Sequence, residues 1–161
     1  MKNKIVKGIF LGCISLFVFS CNSKNESAEA VIDKEQIKKD IQTKENDFAA
    51  LYNSGQLKDI GYYADDANTF FPNRAPLIGK QAIVDFLKND LDSNTDKISF
   101  NTNEVFVSND GNQVVEVGYF KLVDSSNQII NTGNYMSLFE KRNDKYVCVR
   151  DMSASDIPVK N

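Results

Sequence analysis

Histidine is absent from this chain, and so is tryptophan. The first absence removes the Ser-His and Cys-His catalytic pairs, the usual general base near neutral pH and the commonest nitrogen ligand of metals. Any acid-base work falls to Asp, Glu, Tyr or Lys. The second leaves 11 Phe and 6 Tyr as the large groups of a core. No run of Lys and Arg occurs either, and the formal net charge is -3. Lys2, Lys4 and Lys7 stand in an N-terminal segment with no acids beside them, so removing that segment leaves -6. A surface of that sign repels phosphate backbones, which excludes nucleic acid as a partner. With no His, and no calcium-loop spacing around Asp65-Asp66, neither a metal nor a cofactor is expected.

Long apolar runs are equally scarce. The one that stands out, Gly8 to Phe19, follows the three lysines and is too short to span a bilayer, for which about 20 residues are needed. It has the layout of a secretory leader. A small residue, Ser20, then stands directly before Cys21, and the segment Val18-Phe19-Ser20-Cys21 resembles the bacterial lipoprotein signal. That resemblance implies cleavage after Ser20, acylation of Cys21 and a place in the cell envelope; Asn22 after the cysteine leans toward the outer membrane. More than one acyl chain holds a protein stably where a single chain gives only marginal binding. The expected organisation is a leader over 1–20, a lipidated Cys21 with a polar tether through 32, and one domain over 33–161, whose length suits a single core. Of 3 Cys, only Cys148 is then a free thiol, read as a small buried hydrophobe in an apolar strand.

Within the domain the periodicity changes once. Ile37, Ile41, Phe48, Leu51 and Tyr52 recur near helical spacing, which predicts a helix from Asp33 to Ser54 with Asp33 as cap and Gly55 as its end. A shorter helix is expected at Leu57 to Tyr63, an acidic turn at Asp65-Asp66, a strand from Ala67 to Phe71 stopped by Pro72, and a helix after Gly79 burying Ile83, Phe86, Leu87 and Leu91. Beyond Lys97 the period becomes two. Strands are expected at Ile98 to Ser108, Gln113 to Val123, Gln128 to Lys141 and Lys145 to Ser155, separated by hairpin turns rich in Asn, Asp and Gly. Helices followed by an antiparallel meander give an α+β class. Several strands carry apolar residues on both faces, as in Val114, Phe120 and Leu122 against Val115, Val117 and Tyr119. The second face is therefore expected to be covered, by the sheet's own curl or in a homodimer.

The segments Tyr63-Ala64-Asp65-Asp66-Ala67, Ile78-Gly79-Lys80 and Val149-Arg150-Asp151, in this order of elements, resemble the SnoaL-like branch of the nuclear transport factor 2-like superfamily. The resemblance covers about Asp33 to Asp156. It implies a cone-shaped, strongly bent antiparallel sheet wrapped around the N-terminal helix, with a pocket open at one end whose mouth lies in the run Tyr62 to Gly79. The superfamily includes isomerases, dehydratases and cyclases as well as proteins without known activity, so the fold assigns no chemistry. Its ketosteroid isomerases place a carboxylate base just before the proline that closes the strand after Tyr63-Ala64-Asp65-Asp66-Ala67. Here that residue is Phe71, which cannot accept a proton.

Tyr63, Phe71, Tyr119 and Tyr135 are the aromatics such a cone would turn inward, either as core or as a platform for a flat ligand. Arg150 would bind a ligand carboxylate through its fork of donors. It and Asp151 are consecutive in a strand and face opposite ways. The sequence points to a lipid-anchored domain that binds a small, partly apolar or aromatic molecule, or a protein partner, without chemistry of its own. The alternative is an isomerase, dehydratase or hydrolase using Asp151 or Tyr135 as acid or base. Titratable groups converging on the cavity floor favour the enzyme; an all-apolar floor favours binding.

Overall fold

A computed structural model describes residues 32–158. The leader, Cys21 and the tether lie outside the described residues. The first helix, α1 (Lys34–Asn53), starts where the Asp33 side chain accepts from the Gln36 N–H at 2.9 Å. It ends in a Schellman motif, with Gln56 N–H on Leu51 O and Gly55 N–H on Tyr52 O, both at 2.9 Å. Gly55 takes the left-handed conformation this requires, at φ 73°. The buried stripe of α1 is Ile41, Glu45, Phe48, Ala49 and Tyr52. A carboxylate therefore occupies a position that helical spacing assigns to the core.

The expected helix at Leu57 to Tyr63 is only a single 3-10 turn, Leu57–Asp59. Extended backbone takes over because β1 (Tyr63–Phe70) is claimed by the sheet, beginning with Cys148 N–H on Tyr62 O at 2.8 Å. Asp65 and Asp66 are accordingly strand residues and form no turn. Asp66 instead receives both terminal nitrogens of Arg142, the nearer at 2.6 Å. A two-residue strand, β2 (Leu77–Ile78), leads into α2 (Lys80–Ser93), which buries Ile83, Val84 and Leu87.

The remaining strands are β3 (Lys97–Val107), β4 (Gln113–Val123), β5 (Ile129–Arg142) and β6 (Lys145–Ser155). Their limits fall close to those expected from period two. The turn at Asn143-Asp144 has both residues at positive φ, 51° and 60°, as a two-residue hairpin with matching twist needs. The sheet has 6 strands in the order β2-β1-β6-β5-β4-β3. It is mixed, because β1 runs parallel to β6 while the other pairs are antiparallel. The all-antiparallel expectation fails at that pair: β2 and the helix α2 separate β1 from the meander, which lets it enter the sheet in either direction.

The register shifts at four places, once in β1 between Tyr63 and Asn68 against β6 and three times at single-residue bulges. Asn103 in β3, Ile130 in β5 and Val149 in β6 are each an extra residue against the neighbouring strand, and such bulges increase bend and twist. The curl holds α1 on its concave face, against β3. There the free edge of β3 is closed by side chains. Gln42 donates to Phe100 O at 3.2 Å and accepts from Thr102 N at 2.7 Å. Asn53 donates to Ile98 O at 2.9 Å and accepts from Ile98 N at 2.8 Å. Two amides thus mimic a further strand and remove an open edge.

Gln42→Ala leaves the N–H of buried Thr102 without its acceptor. The expected cost is about 1–3 kcal/mol, read as a lower urea midpoint with unchanged slope. An unchanged midpoint would show that water replaces the amide.

Candidate functional site

At one end of the concave face the helix does not fill the curl, and a cavity of about 290 Å³ remains. Its walls differ. Phe48 of α1, Phe100 of β3, Phe120 of β4 and Phe86 of α2 are aromatic; Ser137, Asp151, Ser153 and Ser155 of β5 and β6 are polar. Phe71 and Pro72 contribute from the loop after β1, and the Phe71 ring packs on Phe86 at 4.9 Å.

The floor is a chain of tyrosines and carboxyls. Tyr62 donates to Glu45 at 2.5 Å. Tyr135 and Thr102 donate to the same oxygen of Glu116, at 2.7 Å and 2.6 Å. The other Glu116 oxygen is buried with no donor among the neutral groups and cations around it. The Glu45 carboxyl is close enough to interact with that of Glu116. Two buried carboxyls that interact do not both carry a charge. Burial raises both above the carboxylate range; for Glu45 the Glu116 charge adds to it against the opposing Tyr62 bond.

Asp151 is the third carboxyl. Tyr63 donates to one of its oxygens at 2.8 Å, and among the described residues nothing donates to the other. Burial pushes its pKa up to about 6, the Tyr63 bond pulls it down and the Glu116 charge adds a rise. Asp151 is poised to exchange a proton near neutral pH. The proton of Tyr135 is pushed far upward, chiefly by burial and then by Glu45 and Glu116. The hydroxyl donates to Glu116.

The sequence-derived candidates divide cleanly. Tyr63, Phe71, Tyr135 and Asp151 line the cavity. Tyr119 does not: Phe120 and Leu122 of the same strand face inward, so alternation turns Tyr119 out, and it is 52% exposed. Arg150 is on the outside too, where it reaches Val149 O at 2.5 Å and Asp66 O at 3.3 Å. Simple alternation groups Arg150 with the inward Tyr146 and Cys148, but the extra residue Val149 resets the phase and brings Asp151 to the concave side. Cys148 is fully buried, its thiol held protonated by burial. Glu45, Glu116, Tyr62 and Thr102 were missed. The available signal was a Glu at a core position of each period: Glu45 four residues after Ile41, and Glu116 between Val114 and Gly118. Among the described residues, no group of three His, Cys, Asp or Glu could hold a metal ion.

Gly118 opposes Tyr135 across the β4-β5 pair. A Cβ there would fall into the Tyr135 ring and hydroxyl and against Asn101 O, so only glycine lets the phenol lie over β4 and reach Glu116.

Comparison with solved structures identifies the fold. A nuclear transport factor 2-like protein with a cystatin-like fold from Novosphingobium aromaticivorans superposes with TM-score 0.64 at 14% identity, over 74% of this chain and 82% of that one. A similar protein of unknown function from Shewanella oneidensis MR-1 gives 0.61 at 21% identity, over 73% and 98%. A protein from Catenulispora acidiphila in complex with S-DNPA gives 0.64 at 13% identity, over 76% and 95%. No family model matches the chain, and no curated protein matches it in sequence. The chain therefore has the cystatin-like fold of nuclear transport factor 2-like proteins, as its motifs implied.

Two outcomes are expected of variants. Gly118→Ala displaces Tyr135 and costs about 1–3 kcal/mol by overpacking; a thermal midpoint equal to that of the parent would contradict the contact. Asp151 has a folded pKa above its unfolded value near 4, so the unfolded chain ionises first and its contribution to stability falls as pH rises from about 4 to about 6. Asp151→Asn, which keeps an acceptor for Tyr63, is therefore stabilised relative to the parent on going from about pH 4 to pH 7, by on the order of 2 kcal/mol. Urea midpoints at both pH values check this, and a gap independent of pH would show that Asp151 does not titrate there.

Proposed function

We propose that this chain is a lipid-anchored domain of the cell envelope that binds a small, partly apolar molecule in its cavity. The observation that carries the reading is the open cavity of about 290 Å³, with aromatic rings on one wall and hydroxyls and an unsatisfied carboxylate oxygen on the other. Ligand sites are concave, mainly apolar and marked by a few placed polar groups. A filled core would have neither the volume nor an unpartnered Asp151 oxygen. The neighbour from Catenulispora acidiphila, in complex with S-DNPA, is consistent with the use of this fold to hold a molecule. Acylation of Cys21 supplies the anchor in this proposal.

A second reading is favoured by one observation: the floor is not apolar. Asp151, beside the Glu45-Glu116 pair, has the accessibility and the pKa of a general base or acid. In that reading the cavity binds a substrate and Asp151 moves one of its protons, in a reaction of the isomerase, dehydratase or hydrolase class, with Tyr135 the other candidate acid or base on the lining.

A homodimer through the outer sheet face is also part of the proposal. Phe70, Met152, Met136 and Val117 stand opposite one another on β1, β6, β5 and β4. The first three are exposed, so the row forms an apolar band across four strands.

Native mass spectrometry of the full-length product purified from its own cell envelope reads these claims together. The expected result is a chain beginning at Cys21 with acyl mass added, carrying a noncovalent small molecule and present as a dimer. An empty cavity under conditions that retain bound lipid would overturn the ligand reading. Conversion of the released molecule by the parent and not by Asp151→Asn would establish the enzyme.

A further inference from the structure

The cavity has an unbalanced charge. Glu45, Asp90 and Asp151 contribute carboxyls to its lining, and among the described residues no Lys or Arg does. Asp90 accepts from Tyr52 and Glu45 from Tyr62, so both have a neutral partner. Asp151 likewise accepts from Tyr63 on one oxygen, and of the three it alone stands on the polar wall, beside Ser137 and Ser153. The same lining presents nine aromatic rings, from Phe48 to Tyr135. The π face of such rings is negative and attracts cations, Phe and Tyr included. Phe86 already takes one: the Arg74 guanidinium lies 4.2 Å from its ring centroid.

We propose that the ligand is a small organic cation, an amine with an aromatic or alkyl body, whose ammonium group is held at Asp151 while its body lies against Phe48, Phe100 and Phe120. This rests on the reading of the cavity as a small-molecule site and names the chemistry it selects. A neutral ligand that fills the cavity strips water from the free Asp151 oxygen and offers no charge in return, which costs binding energy. An anion adds like-charge repulsion from the same carboxyls. A cation desolvates the carboxylate and compensates it in the same step. The arrangement of the walls orients it, because the polar strands β5 and β6 face the aromatic wall across the cavity. A primary or secondary amine would also donate to Ser137 or Ser153 beside Asp151.

The test uses three ligands of the same shape, naphthylmethylammonium, naphthylmethanol and naphthylacetate, titrated calorimetrically into the full chain near pH 7. The expected result is that the cation binds at least about tenfold more tightly than the alcohol, that the carboxylate does not bind, and that Asp151→Asn brings the cation and the alcohol to equal affinity. Equal binding of alcohol and cation to the parent would overturn the cation proposal and leave the ligand site standing. Preferred binding of the carboxylate, drawn to Arg74 on the Phe86 ring, would also overturn it and leave the site. A cation preference that survives intact in Asp151→Asn removes Asp151 as the anchor and with it the proposal. Failure of all three ligands to bind would count against the cation proposal and the ligand reading alike.

Discussion

The contact between Glu45 and Glu116 joins helix to sheet at the one place where an apolar core would have been expected to continue. Each residue sits on the buried face of its element, each is fully enclosed, and a charge on either would be costly without partners. Three hydroxyls, from Tyr62, Tyr135 and Thr102, donate to the pair, and one Glu116 oxygen is left without a partner. The network sets the depth of the cavity. Tyr62 and Tyr135, anchored by their hydroxyls, cannot swing into the space above them, so their rings become the floor.

The curl that makes the cavity depends on features that weaken an ideal sheet. Three bulges bend it, Gly118 gives up a side chain so that Tyr135 can lie flat, and β3 is left with an edge that α1 closes through Gln42 and Asn53. Gln42 also links the edge to the floor. It holds Thr102 N, and Thr102 holds Glu116. Helix, edge strand and carboxyl pair are thus one connected unit of hydrogen bonds.

The departure from the ketosteroid isomerase pattern takes a definite form in space. Phe71 stands at the lip where that family keeps its base, and packs on Phe86 as part of the aromatic wall. Across the cavity from it, on β6, Asp151 accepts a hydrogen bond from Tyr63. A cavity with its carboxyl on the opposite wall has a different geometry, and an activity is not carried over from the fold.

Much of the architecture was legible in the order of residues. Period two located four strands to within a residue or two at most of their limits, because each is bounded by turns whose Asn, Asp and Gly tolerate positive φ; Asp33 and Gly55 marked the ends of α1 for equally local reasons. Tyr63, Phe71, Tyr135 and Asp151 were legible as cavity candidates from motif and strand position. Tyr119 and Arg150 were misplaced, the first because both faces of β4 are apolar, the second because Val149 shifts the phase of β6 by one residue. Glu45 and Glu116 were missed because they lie 71 positions apart, and a charged residue at a core position reads as a surface residue until its partner is found. The sequence by itself determined the elements, since caps, turns and hydrophobic periods act over a few neighbouring residues. Only the tertiary structure decided the direction of β1, the face of Asp151 and the carboxyl pair, since each rests on register and burial between segments that are remote along the chain.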